Sequence, residues 1–89
     1  MIRRRIIYGG RVQGVGFRFS AIRAASNHNV AGFVRNMANG KVEVEVEGTK
    51  KEIVAFMEEL ADYMSGNIRD VNFQDMKVSG SYHRFEIRY

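Results

Sequence analysis

The chain of 89 residues contains neither cysteine nor proline. The absence of cysteine excludes disulfide bonds, thiolate metal sites and a cysteine nucleophile. The absence of proline excludes a slow folding step that waits for a cis-proline bond to form. The two histidines, His28 and His83, are too few for most metal centres. We therefore expect no metal site.

Long apolar segments are also missing. No apolar run approaches the roughly 20 residues that span a bilayer. The chain passes from Met1 and Ile2 directly into three arginines, without the apolar region of a signal peptide. We therefore predict no membrane association and, by default, a cytoplasmic location.

Length and composition predict one folded unit. A second domain would be too small to bury its own core, so residues 1–89 are expected to form a single domain. The balance of 45% hydrophobic and 27% charged residues is that of an ordinary globular protein, and a monomer is the default expectation. The net charge of +4 suits an anionic partner, but does not distinguish a nucleic acid from a phosphorylated metabolite.

The pattern of apolar and turn residues predicts the order β-α-β-β-α-β, followed by a short extra strand. The strands are predicted at residues 3–8, 31–37, 41–47, 69–78 and 82–88, and the helices at about 17–28 and after residue 49. Thr49 and Glu52 form the pattern of a capping box. The helix behind them carries an apolar stripe of Ile53, Phe56, Met57, Leu60 and Met64. This order predicts a ferredoxin-like α+β sandwich, in which two helices pack on one face of an antiparallel sheet.

Two local patterns predict finer detail. Residues 41–47 alternate valine and glutamate after the turn signal Asn39-Gly40, so we predict a strand with one buried and one solvated face. The valines are Val42, Val44 and Val46, and the glutamates are Glu43, Glu45 and Glu47. At the end of the first helix, Asn29 is predicted to adopt the left-handed conformation that often terminates a helix.

The segment from Gly9 to Gly16 is too rich in glycine to form a regular element. Its glycines allow successive backbone N–H groups to point into one hollow, and the helix that follows adds the positive end of its dipole. Arg18, in the first helical turn, could grip two oxygens of a bound phosphate. The alternative is an ordinary strand-to-helix turn with a solvated Arg18. The glycines alone favour that alternative, because short glycine patterns match often by chance.

Asn36 interrupts an apolar strand, although asparagine is poor in strands. By alternation its side chain shares a face with Val34, and a buried amide must find hydrogen-bond partners. It could satisfy nearby backbone, hold an arriving water, or merely open the turn toward Asn39-Gly40. The pattern of residues does not decide between a functional and a structural role.

The segment from Gly10 to Arg18, the segment from Gly32 to Asn36, the pair Asn39-Gly40 and the valine/glutamate strand together resemble the acylphosphatase family. The resemblance runs from roughly Arg3 to Tyr89. It implies a ferredoxin-like fold and an enzyme that hydrolyses the carboxyl–phosphate bond of acyl phosphates with water as the nucleophile. It also implies that no metal or cofactor takes part.

The resemblance implies roles for particular residues. Arg18 would bind the phosphate, and Asn36 would orient the attacking water. The backbone that cradles the phosphate oxygens would be that of Gln13, Gly14, Val15, Gly16, Phe17 and Arg18. Inorganic phosphate or sulfate would then compete with the substrate. Neither motif offers a general base, so the substrate's own phosphate would accept the proton from water.

The chain departs from the family pattern at a few positions. It has His28-Asn29-Val30 where the family commonly has Leu-Gly-Leu, Phe33 where tryptophan is frequent, and Asn39 where aspartate is frequent. None of these changes falls on the two residues with implied catalytic roles. We expect His28 to be a partly exposed structural residue at the helix end.

Two alternatives to the enzyme are compatible with the fold. The first is a non-enzymatic ferredoxin-like module that binds a nucleic acid or a small anionic ligand. Against nucleic acid, a solvated row of three glutamates would repel a phosphate backbone, and a solvated first strand explains the run Arg3-Arg4-Arg5. The second is a domain of a larger protein that handles carbamoyl phosphate. A chain ending at Tyr89 favours the stand-alone enzyme.

Overall fold

The computed structural model describes all 89 residues, and it has the predicted ferredoxin-like plan. The elements are β1 (Ile2–Gly10), α1 (Phe17–Ser26), β2 (Ala31–Asn36), β3 (Val42–Gly48), α2 (Lys50–Tyr63), β4 (Ile68–Met76) and β5 (Phe85–Arg88). The strands form one sheet in the order β4-β1-β3-β2-β5. The sheet is mixed, because β5 runs parallel to β2 while the other neighbours are antiparallel. The helices α1 and α2, of 10 and 14 residues, are both too short to span a bilayer.

The core lies between the sheet and the two helices, and the valine face of β3 supplies its centre. Val42, Val44 and Val46 are completely buried, as predicted. The apolar stripe of α2 packs onto them through Ile53, Phe56, Leu60 and Met64, while Met57 is only partly buried. Side chains of α1 complete the core with Phe17, Ala21, Ala24 and Ala25.

The opposite face of β3 is not solvated, so this part of the sequence prediction is wrong. Glu43 and Glu47 are each only 5% exposed. The Nε atoms of Arg5 and Arg35, on the two neighbouring strands, each lie 2.5 Å from a carboxylate oxygen of Glu43. Flanking arginines therefore neutralise and cover the carboxylate that alternation had assigned to solvent.

The segment between β4 and β5 covers the rest of this outer face. Glu47 accepts hydrogen bonds from the Ser79 amide at 2.6 Å, the Ser79 hydroxyl at 2.5 Å and the Gly80 amide at 3.2 Å. The Tyr82 hydroxyl donates to Glu45 at 2.8 Å. The chain thus crosses the outer face before β5 joins the far edge, which accounts for the parallel pairing of β5 with β2.

Glu47 should make stability depend on pH. Desolvation raises its pKa, but the hydrogen bonds from Ser79 and Gly80 and the charge of Arg3 outweigh desolvation and lower the pKa from 4.5. Because the folded pKa is depressed, this stabilisation is present above the unfolded value and is lost as pH falls through the folded value. Glu47→Gln should therefore lower the free energy of unfolding at neutral pH by about 1–2 kcal/mol.

Urea unfolding of both proteins between neutral pH and about pH 3 checks this prediction. The wild type should lose stability more steeply than the glutamine variant as pH falls. Glu86→Gln, at a more exposed glutamate with arginines at 3.6 and 3.8 Å, is the control and should change little. Parallel pH curves for wild type and Glu47→Gln would contradict the assignment.

Two predictions about β1 need correction. Gly9 and Gly10 belong to the strand and pair with Asp70 and Ile68, with a shift of register between them. At Gly10, where φ is 118°, a Cβ atom would lie 2.5 Å from the Asn67 carbonyl oxygen and 2.7 Å from the Arg69 backbone nitrogen, so glycine here permits close pairing instead of ending the strand. Arg4 is 4% exposed on the helix side of the sheet and not solvated as predicted. Its Nε and Nη2 donate to the Asp75 carboxylate at 2.7 and 3.0 Å.

The first helix also ends earlier than predicted. Its last residue is Ser26, and its C-cap Asn27 is right-handed, with φ −95° and ψ −1°. Asn29 is not left-handed, since no residue other than glycine has positive φ. The backbone N–H of Asn29 donates instead to the Glu52 carboxylate at 2.7 Å. Only half of the capping box forms, in which the Thr49 hydroxyl accepts from the Glu52 amide at 3.2 Å.

Candidate active site

The loop between β1 and α1 presents unpaired backbone donors. Gly14 and Gly16 have φ of 74° and 79°, in the left-handed region that side chains rarely adopt. From Val12 to Gly16 no backbone N–H donates to a backbone carbonyl. The N-terminus of α1 has no side-chain cap and no acidic residue in its first turn. Free amides and the positive end of a helix dipole thus meet at one place, which favours an anion.

A cavity of about 210 Å³ opens on this loop. Its lining residues come from the loop, the first turn of α1 and the end of β2, and are Val12, Gly14, Gly16, Phe17, Arg18, Phe19 and Asn36. Arg18 and Asn36, which are 18 positions apart in the sequence, therefore share one cavity. The fold brings them together because α1 and β2 both pack against the core at this end of the sheet.

Arg18 is the second residue of α1 and is half-buried. Its guanidinium carbon lies 5.0 Å from the centre of the ring of Tyr89, a cation–π contact with a residue that is itself 96% exposed. Arg18 belongs to none of the ion pairs of the protein. Its charge is therefore uncompensated and can act on an anion in the cavity.

Asn36 is the last residue of β2 and lies opposite Val42 in the register. It is half-buried and lines the cavity. Near this strand end the Gln13 side chain donates hydrogen bonds and the Asn39 side chain accepts one, and the side-chain amide of Asn36 takes no part in them. The backbone-satisfying role that the sequence left open is therefore not seen here.

Gln13 and Val15 do not line the cavity. Gln13 Nε2 donates to the carbonyls of Met37 at 2.8 Å and Lys41 at 2.9 Å, which fastens the loop to the β2–β3 hairpin. Val15 points outward and is 38% exposed. Any role of these two residues in binding an anion thus belongs to their backbone amides, and that role stays a prediction.

Val12, Phe19 and Tyr89 lie at or near the cavity, and the sequence analysis assigned none of them a role of its own. Val12 is 1% exposed and forms the inner wall, whereas Phe19 is 71% exposed at the rim. The apolar Val12 between glycines could have been identified as a loop anchor. The contact of Tyr89 with Arg18 could not have been predicted from the sequence, because it depends on where β5 ends. His28 lies outside the cavity, with Nε2 2.9 Å from a Glu59 oxygen.

The fold and cavity together define a ferredoxin-like α+β protein whose loop of unpaired amides is suited to an oxyanion. The family model for acylphosphatase matches residues 4–87. An acylphosphatase from Bacillus licheniformis is 34% identical over the full length of both chains. The crystal structure of acylphosphatase from Bacillus subtilis superposes with a TM-score of 0.91 at 34% identity, with both chains fully covered. The chain belongs to the acylphosphatase family.

A related fold also occurs within a longer protein. All of this chain matches 12% of the T. kodakarensis HypF chain, with a TM-score of 0.85 and 31% identity. The full-length match to the Bacillus proteins supports an enzyme of the acylphosphatase type. Its reaction is the hydrolysis of an acyl phosphate to a carboxylate and inorganic phosphate.

Proposed function

We propose that Arg18 and the amides from Gln13 to Arg18 hold the phosphate of the substrate, while Asn36 orients the attacking water. The observation that carries this proposal is the shared cavity, in which an uncompensated guanidinium and a hydrogen-bond-free amide face the same space beside unpaired loop N–H groups. The guanidinium and the loop amides would bind the anion, and the Asn36 side chain would place the nucleophile.

The chemistry requires little else. The carboxylate of an acyl phosphate is a good leaving group, so phosphoryl transfer needs positioning and charge stabilisation more than covalent catalysis. Guanidinium and loop amides stabilise charge on the equatorial oxygens, and Asn36 holds water in line with the bond that breaks. The carbon-bound oxygen leaves as carboxylate, and a phosphate oxygen accepts the proton of the water. No general base from the chain is needed.

Nothing in the fold or the comparisons favours the alternative of a nucleic-acid-binding module. Its binding surface would be the outer face of the sheet, where aromatic side chains would stack on bases. That face is occupied by the arginine–glutamate pairs and by residues 77–84, and Phe33 is only 6% exposed there. The cytoplasmic location and monomeric state stay predictions from the sequence.

We expect purified protein to hydrolyse a simple acyl phosphate, such as benzoyl phosphate, without added metal. No group of three or more His, Asp or Glu side chains is placed to hold a metal ion. Turnover should therefore survive an excess of chelator. Loss of turnover with chelator, followed by recovery with a divalent cation, would contradict the proposed mechanism.

Inorganic phosphate and sulfate should inhibit competitively, because the loop recognises a tetrahedral oxyanion. Titration of ¹⁵N-labelled protein with phosphate should shift the amide signals of residues 13–18. The dissociation constant from these shifts should equal the inhibition constant of phosphate. Signal changes confined to Arg3 and Arg5, with the loop amides unmoved, would assign anion binding to the sheet surface and reject the site.

A further inference from the structure

A second and larger cavity lies between α2 and the edge strand β4. It has a volume of about 570 Å³ and shares no lining residue with the cavity that contains Arg18. It exists because α2 packs toward α1 and β3, which leaves the helix-side face of β4 uncovered. Val54, Val71 and Phe73 on its walls are 38%, 41% and 53% exposed. We call this feature the α2–β4 groove.

Tyr8 of β1 lies at the floor of the α2–β4 groove. The residue is 2% exposed, and its hydroxyl is buried without any hydrogen-bond partner. Burial raises the pKa of this phenol, so the hydroxyl stays protonated and acts as a donor. A buried donor without an acceptor costs stability, and such groups are rare in folded proteins.

The charged side chains of the groove do not call for a charged ligand. Arg4 is committed to Asp75 by two hydrogen bonds, and its guanidinium lies 4.0 Å from the centre of the Phe73 ring. Eight of the twelve lining residues are hydrophobic. Glu58 also lines the groove, but it is exposed and its carboxylate can be solvated by water. The unmet requirement in the buried part of the groove is therefore a neutral hydrogen-bond acceptor for Tyr8.

We propose that the α2–β4 groove binds a small neutral apolar molecule whose carbonyl or ether oxygen accepts a hydrogen bond from the Tyr8 hydroxyl. Its volume falls in the range of about 300–1,000 Å³ that is usual for ligand pockets. Met57 and Met64 line the groove, and their unbranched side chains can change rotamer to admit the ligand to the floor. This site is independent of acyl phosphate hydrolysis.

Two probes of nearly equal size test the proposal. Acetophenone has an aromatic ring with a carbonyl acceptor, whereas ethylbenzene lacks the acceptor. In ¹⁵N-labelled wild type, both should shift amides of α2 and β4, and acetophenone should bind about fivefold tighter because of one hydrogen bond. In Tyr8→Phe the preference should vanish. This variant keeps the ring, whose centre lies 5.0 Å from that of Phe17, so the fold should persist.

Two tryptophan variants of α2 provide the control. Ala61 lines the groove and is exposed, so Ala61→Trp should fill the groove and abolish binding of both probes. Asp62 is exposed and does not line it, so Asp62→Trp should leave both affinities unchanged. Equal affinities of the two probes in the wild type, or shifts confined to residues 13–18, would overturn the proposal. Phosphate inhibition should be the same with and without acetophenone.

A second copy of the chain could instead pair along the free edge of β4. It would not provide an acceptor for Tyr8, which lies one strand further in. Antiparallel pairing of two β4 strands about their midpoint would place Asn72 against itself, so Asn72→Cys would cross-link on mild oxidation while Gln74→Cys would not. Selective cross-linking at position 72, together with loss of binding of both probes in the cross-linked dimer, would assign the groove to self-association and overturn the small-molecule proposal.

Discussion

Replacing Arg18 with alanine should lower kcat/KM for an acyl phosphate by about a thousandfold. The side chain carries the one uncompensated charge among the residues that line the cavity, and no neighbouring lysine can replace it. Phosphate inhibition should weaken at the same time, since the same guanidinium holds substrate and product. Arg18→Lys should recover little activity, because lysine keeps the charge but loses the planar, two-pronged geometry.

The matched control for Arg18 is Arg23, on the same helix. Its guanidinium also lies against a tyrosine, 4.7 Å from the centre of Tyr63, and it does not line the cavity. Arg23→Ala should leave kcat and the phosphate inhibition constant near the wild-type values. Steady-state kinetics of Arg18→Ala, Arg18→Lys and Arg23→Ala, with and without phosphate, measures these effects. Near-normal turnover by Arg18→Lys would show that charge without geometry is sufficient.

Asn36→Ala should lower kcat by about a hundredfold while the phosphate inhibition constant stays close to normal. Arg18 and the loop amides would still hold the anion, whereas the water would lose the group that orients it. An interaction that matters mainly in the transition state affects kcat more than ground-state binding. Kinetics and phosphate inhibition measured on the same preparation separate these two quantities.

Asn39 provides the comparison for Asn36. Its Oδ1 accepts from the Lys41 amide at 3.0 Å, so Asn39→Ala should reduce thermal stability and leave kcat nearly unchanged. If Asn36 were merely structural, its alanine variant would behave like that of Asn39, with a lower melting temperature. Equal losses of phosphate affinity and rate in Asn36→Ala would reject the water-positioning role.

The sequence correctly predicted which face of β3 is apolar and buried. It did not predict which groups lie over the other, glutamate-bearing face. Alternation identified the buried valines of β3, because burial of apolar side chains fixes the side of the strand that meets the helices. It failed for Glu43 and Glu47, since alternation does not report what lies over a polar face. Their partners are arginines on neighbouring strands and amides from residues 79 and 80, which are distant in sequence. Such contacts depend on the path of the chain after β4.

For the candidate site, the sequence allowed the loop and its two key residues to be identified. It did not predict the contacts that other parts of the chain make with them. The glycines allowed a hollow of backbone N–H groups but by themselves favoured an ordinary turn, and it was the resemblance that paired Arg18 with Asn36 in one site. The side chain of Gln13 was assigned no separate role, yet it fastens the loop to the hairpin that carries Asn36. The contact of Tyr89 with Arg18 could not be predicted, because it requires β5 to run parallel beside β2.

The position of β1 between β3 and β4 has a consequence for the kinetics of folding. Arg3 pairs with Glu47 on one side and with Met76 on the other, 73 residues further along the chain. Pairings between distant segments slow folding, and this chain has no proline or disulfide to impose a slower step. During synthesis, β1 is made before the other strands, and its second neighbour, β4, is made almost last. Until β4 is made, the edge of β1 that carries Ile6 and Tyr8 therefore has no partner strand. The chain is most prone to aggregate during this interval.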